Sequence, residues 1–328
     1  MELSRRRWLC ACGAIAGVLF AAPPTRAEFP DHTVRWIVPF PAGGGLDTVT
    51  RIVAPKLAES IGQSVIVDNK SGGSGFIGIM ALVQSPPDGH TLMMQALGMS
   101  MNPSIYKNLP YEPRKDLQPV ALLGVVPVIL AIGPKVEATT LKDFVALAKA
   151  APRRYKGASF ATGSGTLKLE MFRLQAGIDV PIVPYRGVVD AVAATTAGET
   201  DLVIMDGTSV VPHIKAGRLR GLAIAADARL AELPDVPTTA EAGLPDYKIE
   251  FWYGAFTRGG TPRPVVERLN AEINKAVALP EVQDKLKAMG LTPVSRSVDQ
   301  FTQQHYCEMD EWAEIVKRSG FKPLELAP

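Results

Sequence analysis

Four short loops rich in glycine and hydroxyl residues have the composition of an anion-binding site. Each loop follows an apolar segment with β-strand character, and three of them precede a helical pattern. The start of a helix presents unpaired backbone N–H groups and a partial positive charge, and glycine or serine lets an anion reach those groups. We therefore expect a carboxylate or phosphate to bind against the loops PAGGGLD (41–47), NKSGGSG (69–75), ATGSGT (161–166) and YRG (185–187).

Polar side chains in these loops and at a further strand end could take part in binding. The hydroxyls of Ser164, Thr166 and Tyr185 could donate hydrogen bonds to an anion. Asp47 could cap the first helix, or it could orient the glycine loop through the loop's amides. Asp206 follows the buried segment LVIM and could accept from a ligand ammonium or hydroxyl, or cap the next segment.

Three large side chains near the same strand ends are each compatible with more than one role. Arg186 could pair with a ligand acid, or it could be a solvated or inter-lobe arginine. Trp252 and Tyr253 are expected in the core or at a hinge rather than against the ligand.

One glycine motif has the spacing of a dinucleotide site. The segment GSGFIG (73–78) fits G-x-G-x-x-G and follows a strand. However, residues 68–70 intervene between the strand and the glycines, and the next strand offers Gln95 where an acidic residue is expected. We therefore expect no bound dinucleotide.

Residues for catalysis or metal binding do not occur at useful spacings. Ser164 does not match the G-x-S-x-G pattern of a nucleophile elbow. The histidines are His32, His90, His213 and His305, and no two are three or four residues apart. His90 is predicted in a turn and His305 on a polar helix face. The sequence therefore predicts no catalytic residue, no metal site and no cofactor.

The elements that carry the loops alternate between strand and helix. TVRWIVPF, QSVIVDN and TLMMQA have strand character, and apolar residues recur at helical spacing between them. This alternation predicts an α/β fold in which mostly parallel sheets are covered by helices. Ligands in open sheets of this kind bind outside the carboxyl ends of the strands, where the glycine loops lie.

Two apolar segments divide the chain into two lobes. ALLGVVPVILAIGP is interpreted as one or two buried strands that make the first crossing between lobes, and EFWYGAFT as the return crossing. We expect lobe 1 to comprise 28–128 and 251–328, and lobe 2 to comprise 129–250. Two crossings would allow a hinge.

The N-terminal 27 residues have the pattern of an export signal. Arg5 to Arg7 precede an apolar stretch, Trp8 to Ala22, which is shorter than a membrane-spanning helix, and we place cleavage after Ala27. SRRRWL resembles a twin-arginine signal, and a general secretory signal stays open. The alternative to a cleaved signal is a membrane anchor.

Cysteine usage and charge limit the mature chain further. Cleavage removes Cys10 and Cys12, so Cys307 remains and cannot form an internal disulfide. The formal net charge of +2 over 328 residues gives no indication of a nucleic-acid surface.

Several motifs in order resemble the Bug/TctC (UPF0065-type) family of extracytoplasmic solute receptors of tripartite tricarboxylate transporters. The resemblance covers essentially the mature chain. It rests on VRWIVPFPAGGGLDTVTRIVAPKLAESIGQSVIVDNKSGGSGFIG, PDGHTLMM, NPSIYKNLPYEPRKDLQPVALL, VPYRG, LPDVPTTAEAGLPDY and FWYGAFTRGGTPRPVVERLN.

The resemblance implies a two-lobed periplasmic-binding-protein (type II) fold with a closing cleft. It also implies a carboxylate held largely by backbone amides and water. By position, one carboxyl group would be held by Phe40, Pro41, Ala42, Gly43, Gly44, Gly45 and Asp47. Ser74 and Gly75 lie in the second loop, and Gln95 lies at the next strand end. The rest of the ligand would contact Gly163, Ser164, Gly165, Thr166, Tyr185 and Asp206.

Two departures from the family pattern lie near the distal part of the ligand. Many members carry a histidine where this chain has GSGTLKLEMF, with Thr166 and Lys168. A strand end that is often rich in serine or threonine reads ALGMSM (96–101) here. Those methionines could favour a bulkier, less polar acid such as an aromatic acid or ring-cleavage product, or they could belong to the core.

We therefore expect a periplasmic, non-enzymatic binding protein that is a monomer. Its partners would be a small organic carboxylate and a two-component permease of the tripartite tricarboxylate type. The alternatives are a binding protein that serves a sensor kinase, and an exported hydrolase or cofactor enzyme.

Overall fold

The computed structural model describes residues 29–160, 163–319 and 321–326. The predicted export signal, with Cys10 and Cys12, lies outside the described residues. Cys307 is exposed and free. Within the described ranges, no helix is both long enough and apolar enough to cross a membrane.

Strands and helices alternate along the first half of the chain, as the sequence predicts, except that two helices follow the third strand. This half contains β1 (Val34–Val38), α1 (Gly45–Ile61), β2 (Val65–Asn69), α2 (Phe76–Val83), β3 (Thr91–Ala96), α3 (Gly98–Ile105), α4 (Pro113–Asp116), β4 (Leu117–Ile132) and α5 (Leu141–Ala150). The N-cap of α5 is Thr140, whose reciprocal hydrogen bonds with Asp143 form the predicted capping box.

The second half continues the alternation and ends in three helices. Its elements are β5 (Gly157–Phe160), α6 (Gly163–Ala176), β6 (Ile182–Tyr185), α7 (Val188–Ala197), β7 (Leu202–Asp206), α8 (Gly207–Lys215), β8 (Arg220–Ala225), β9 (Glu250–Arg258), α9 (Arg263–Ala278), α10 (Pro280–Ala288), β10 (Thr292–Pro293) and α11 (Val298–Ser319).

The strands follow the order β2-β1-β3-β9-β4-β7-β5-β6, and β8 and β10 also pair with β4. On one side, β1 is parallel to β2 and β3. On the other, β5 is parallel to β6 and β7. β9 runs antiparallel to both β3 and β4. Each group of parallel strands directs its carboxyl ends, and the helix starts that follow them, toward the middle of the molecule.

The 16-residue strand β4 joins the two groups. It pairs with β9 from Leu117 to Pro127, and with β7 and β8 from Val128 to Ile132. It is therefore one strand that changes partners along its length, where the sequence allowed either one strand or two.

One sequence expectation in the core is wrong. His305 was predicted on a polar helix face, but its side chain is fully buried. On α11 the buried side chains Phe301, His305, Trp312 and Val316 recur at helical spacing, so His305 lies within the stripe that packs on the core. Burial lowers the pKa of His305 to about 3.

Candidate functional site

A cavity of about 180 Å³ lies between the carboxyl ends of the two groups of parallel strands. Five helices begin at its wall. The lining residues from these starts are Gly44 to Asp47 of α1, Gly98 of α3, Ser164 of α6, Gly187 to Asp190 of α7, and Asp206 and Ser209 of α8. Each helix start adds backbone donors and partial positive charge to the same small volume.

Backbone geometry requires glycine at two of the three consecutive glycines before α1 and does not require it at Gly44. Gly43 has φ +86°, in the left-handed region that favours glycine. Gly44 has extended backbone, and an added Cβ would have Pro41 O at 3.8 Å as its nearest neighbour. At Gly45 an added Cβ would lie 2.1 Å from Thr208 Oγ1 and 2.3 Å from Tyr253 Oη. Gly45 therefore allows the close approach of α1 to the β7–α8 connection.

Asp47 orients this loop. Its carboxylate accepts hydrogen bonds from Gly43 N at 2.9 Å, Asn69 Nδ2 at 2.9 Å and Arg51 Nε at 3.0 Å. Asn69 Nδ2 also donates to Phe40 O at 3.1 Å, which ties β2 to the same loop. Burial alone would raise the pKa of Asp47, but hydrogen bonds from Arg51, Gly43 and Asn69 lower it overall.

Three of the five helix starts carry no side-chain cap. The N-cap residues are Gly44 for α1, Leu97 for α3 and Gly187 for α7, and none accepts a capping hydrogen bond on a side-chain atom. The first-turn amides of α1 and α7 at the cavity wall are oriented toward a ligand, whereas in α3 the Ser100 amide donates to Leu97 O at 2.9 Å.

The fourth start, that of α8, is capped by Asp206. Its Oδ1 accepts from Ser209 N at 3.2 Å and from Tyr253 Oη at 2.8 Å, and the Thr208 hydroxyl donates to the same oxygen. Of the two roles left open by the sequence, the cap is therefore observed. Tyr253 is fully buried, and burial raises its pKa well above the usual value.

The charged side chains that line the cavity are all acidic. They are Asp47, Asp190 and Asp206, and the described lining contains no lysine, arginine or histidine. An anion in the cavity would therefore be recognised by backbone amides and helix dipoles rather than by a basic side chain at the wall.

Three phenylalanine rings form part of the cavity wall. Phe40 and Phe160 meet edge to face with ring centroids 6.2 Å apart, and Phe251 adds a third ring to the wall. A second contact across the cleft joins Gly98 and Ser164, since a Cβ on Gly98 would lie 3.0 Å from Ser164 Oγ.

Ten of the sixteen candidate residues from the sequence line the cavity. They are Phe40, Pro41, Ala42, Gly44, Gly45, Asp47, Ser74, Gln95, Ser164 and Asp206. The other six lie outside the lining: Gly43, Gly75, Gly163, Gly165, Thr166 and Tyr185.

Packing accounts for several of these six positions. The amide of Gly163 donates to Tyr106 Oη at 2.7 Å, and a Cβ on Gly163 would lie 1.8 Å from Ile105 Cγ2. A Cβ on Gly165 would lie 2.8 Å from Phe160 O. Both glycines allow α6 to pack closely on its neighbours. Gly43 supports the wall through its hydrogen bond to Asp47.

The cavity also has lining residues that are not among the sixteen candidates. They are Leu46, Ile79, Ala96, Gly98, Asn102, Phe160, Gly187, Val188, Val189, Asp190, Ser209, Phe251 and Tyr253. Leu46 and Gly187 lie within the predicted loops 41–47 and 185–187. Gly98 begins a helix just after a strand, and this signal could have made it a candidate. Phe251 and Tyr253 carry no such signal, because they alternate within a buried strand.

Met99 and Met101 belong to the core. Both are fully buried on α3, a helix that the sequence analysis did not predict, and neither lines the cavity. The suggestion that these methionines favour a bulkier ligand therefore loses its basis.

One Ser–His pair exists among the described residues, but it lies in the core. Ser100 Oγ lies 2.7 Å from His305 Nδ1 and donates to Glu308 Oε2 at 3.0 Å. Ser100 and His305 are fully buried, and the acid contacts the serine, so the arrangement is not that of a hydrolase triad.

A group of potential metal ligands lies outside the cavity lining. The ligand atoms of Asp31, His32 and His90 lie within 4.8 Å of one another. Asp31 Oδ1 lies 2.6 Å from His32 Nδ1 and 3.1 Å from His90 Nε2, and the two imidazole rings stack. The contacts of both histidines with the Asp31 carboxylate account for this cluster. The absence of a bound metal stays a prediction.

The sequence matches the family model described as "Tripartite tricarboxylate transporter family receptor" (TctC) over residues 49–321. The chain belongs to this family. Among curated proteins, BugT of Bordetella pertussis is 36% identical over 316 residues, which is 94% of this chain and 95% of BugT. The family is one of extracytoplasmic solute-binding receptors rather than enzymes.

Solved structures share the architecture of this TctC receptor. The periplasmic binding protein BugD is 27% identical with a TM-score of 0.86, covering 90% of this chain and all of BugD. A protein of R. palustris solved with adipate is 29% identical, with a TM-score of 0.85 and coverage of 90% and 100%. MatC of Rhodopseudomonas palustris, solved with malate, is 31% identical, with a TM-score of 0.83 and coverage of 88% and 100%. The predicted two-lobed periplasmic-binding-protein fold is thereby confirmed.

Proposed function

We propose that this TctC receptor captures a small organic carboxylate in the cavity between its lobes and delivers it to a two-component permease of the tripartite tricarboxylate type. The observation that carries the proposal is the convergence of the uncapped starts of α1, α3 and α7 on one cavity. The adipate and malate bound by two structural relatives are of the same chemical class.

In this proposal the α1 loop holds one carboxyl group. The amides at residues 45–47 donate to the carboxylate oxygens. Asp47 holds the conformation of the loop by accepting a hydrogen bond from Gly43 N. Ser74 and Gln95 line the same lobe, and Ser164 faces them from the other lobe. Asp206 fixes the start of α8 and the Tyr253 hydroxyl, rather than binding the anion.

The magnitudes suit reversible capture. A hydrogen bond to a charged group contributes about 1.5–3 kcal/mol. Four or five of them give roughly 6–15 kcal/mol before the costs of closure and ordering. A micromolar affinity requires about 8 kcal/mol. Backbone amides therefore suffice without an arginine at the wall.

We also propose the lobe limits 28–128 with 251–328, and 129–250. The limits are supported by β4, which changes partners from β9 to β7 and β8 between Pro127 and Val128, and by β9, which begins at Glu250.

We also propose that the chain is exported by a twin-arginine or general secretory signal that is cleaved after Ala27. N-terminal sequencing of the exported protein tests this cleavage site.

Titration calorimetry against mono-, di- and tricarboxylates, including adipate and malate, tests ligand capture. In Gly44→Val the extended backbone and open surroundings accept the side chain, but the branched side chain would cover the α1 amides. We expect this variant to fold and to lose binding. Glu112→Val changes another extended N-cap, at the exposed start of α4, and serves as the control. Unchanged affinity in Gly44→Val would contradict the loop assignment.

Delivery to a permease and the monomeric state need separate measurements. Light scattering during gel filtration should give the mass of one chain, with and without a bound carboxylate. Uptake of a bound, labelled carboxylate should require both the receptor and a two-component permease of the tripartite tricarboxylate type. Uptake that is unaffected by removal of that permease would instead favour a sensor-kinase role.

A further inference from the structure

Lys168 is buried beside the cavity without a hydrogen-bond partner. Its side chain is 1% exposed, and among residues 29–160, 163–319 and 321–326 no group accepts a hydrogen bond from its Nζ. Lysine is rarely buried unless its charge is paired, because removing an ammonium from water is costly. This charge is not explained by the packing of the fold alone.

The ammonium lies over two rings that line the cavity. Nζ lies 4.7 Å from the ring centroid of Phe251 and 5.5 Å from that of Phe160, and both rings line the cavity. Lys168 is one helical turn after Ser164, which also lines the cavity. Because side chains on a helix point back toward its N-terminus, Lys168 extends toward the start of α6 and the cavity.

The contacts of Lys168 leave its charge only partly compensated. The two ring faces attract the ammonium through cation–π interactions. The nearby acid is Asp206, which acts across space and already accepts hydrogen bonds from Ser209, Thr208 and Tyr253. Burial lowers the pKa of Lys168 to about 8, against the opposing effect of Asp206.

We propose that Lys168 is the charge determinant for a second anionic group of the ligand, at the Phe160–Phe251 end of the cavity. This inference rests on the proposed carboxylate-binding function and makes its substrate class narrower. One carboxylate binds at the α1 amides, and the second lies beside the two rings, where the ammonium stabilises it in a region of low dielectric constant. The preferred ligand is therefore a dicarboxylate rather than a monocarboxylate of the same length.

Adipate and hexanoate provide a matched pair, because they have equal chain length and differ by one carboxylate. Titration calorimetry on Lys168→Met should show the adipate affinity reduced about tenfold or more, and the hexanoate affinity nearly unchanged. Lys142→Met removes an exposed lysine from α5 and serves as the control. Thermal unfolding of Lys168→Met should occur at the same or a higher temperature, because an unpaired buried charge has been removed.

A measurement on the unaltered protein provides a second readout. An anion near Lys168 raises the pKa of its ammonium, so adipate binding near pH 8 should take up as much as about half a proton, which calorimetry in two buffers measures. Among the described residues, Asp206 acts on Lys168 across space, and the Tyr247 hydroxyl donates to the Lys168 carbonyl at 2.9 Å. Burial raises the pKa of the Tyr247 phenol, which keeps it uncharged at this pH. Hexanoate should cause no uptake.

The outcomes separate this inference from the proposed function. If the unaltered protein binds no carboxylate of the panel, the proposed function fails. If it binds adipate, and Lys168→Met binds adipate equally well or loses adipate and hexanoate to the same extent, the assignment of Lys168 is overturned alone. Adipate binding without proton uptake at any pH between 7 and 10 would also overturn it.

Discussion

Replacing Asp47 by asparagine should disturb the α1 loop without changing its volume. The carboxylate accepts hydrogen bonds from Gly43 N, Asn69 Nδ2 and Arg51 Nε. An asparagine has one acceptor oxygen and one donor group at this position. It could satisfy either the Gly43 amide or the Asn69 amide, but it would direct its own N–H groups at the other.

The expected loss of stability follows from those contacts. A buried donor left without a partner costs about 1–3 kcal/mol. The ion pair with Arg51 adds less than about 1 kcal/mol, because the arginine side chain is half exposed. The free energy of unfolding should therefore fall by about 1–4 kcal/mol at pH 7. Carboxylate affinity should fall by about tenfold or more, because the loop amides lose their orientation.

The lowered pKa of Asp47 also determines how the stability difference between the unaltered protein and Asp47→Asn changes with pH. The folded protein has a lowered Asp47 pKa, so the carboxylate contributes stability above the pKa of the unfolded chain, near 3.8. That contribution is lost as the pH falls through the folded pKa. The difference between the unaltered protein and Asp47→Asn should therefore shrink below about pH 4.

Urea unfolding at pH 7 and pH 3.5, followed by tryptophan fluorescence, measures the difference. Asp284→Asn changes an exposed acid on α10 and is the control. Equal stability of Asp47→Asn and the unaltered protein at pH 7, or a difference that does not shrink in acid, would refute the proposed role of Asp47.

Two further predictions concern the core and the contact between the lobes. Because burial lowers the pKa of His305 to about 3 from 6.5, the unfolded chain binds a proton between these values and the folded chain does not. Stability should therefore fall by as much as about 1.4 kcal/mol per pH unit below pH 6.5, and His305→Leu should lack this component in urea unfolding at pH 7, 6 and 5. An equal slope in the variant would contradict the buried neutral state. In Gly45→Ala the new Cβ would meet Thr208 Oγ1, so X-ray scattering should show a larger radius of gyration and calorimetry a weaker carboxylate affinity. Gly45→Ala with Thr208→Ala should regain part of the affinity, and no regain would mean that the clash does not act through Thr208.

The sequence predicted the framework of the fold because its signals are local. Strand and helix periods, the glycine loops and the capping box at Thr140 each depend on a few neighbouring residues. Helix α3 was missed because Gly98 and Pro103 disfavour a helix in isolation, whereas tertiary packing buries Met99 and Met101.

The candidate site could be located from the sequence, but its contacts could not be assigned completely. Helix starts that follow strands indicated the right edge of the sheets, and ten candidates line the cavity. The roles of individual glycines depend on contacts that only the folded structure shows. A side chain on Gly45 would clash with Thr208 and Tyr253, and the Gly163 amide donates a hydrogen bond to Tyr106. The burial of His305 likewise depends on which face of α11 packs inward.

A crystal structure of the protein with bound adipate tests the central claim most directly. We predict a carboxylate within hydrogen-bonding distance of the backbone amides at residues 45–47, inside the cavity lined by Phe40, Phe160 and Phe251. Adipate bound elsewhere, with those amides facing solvent, would contradict the account.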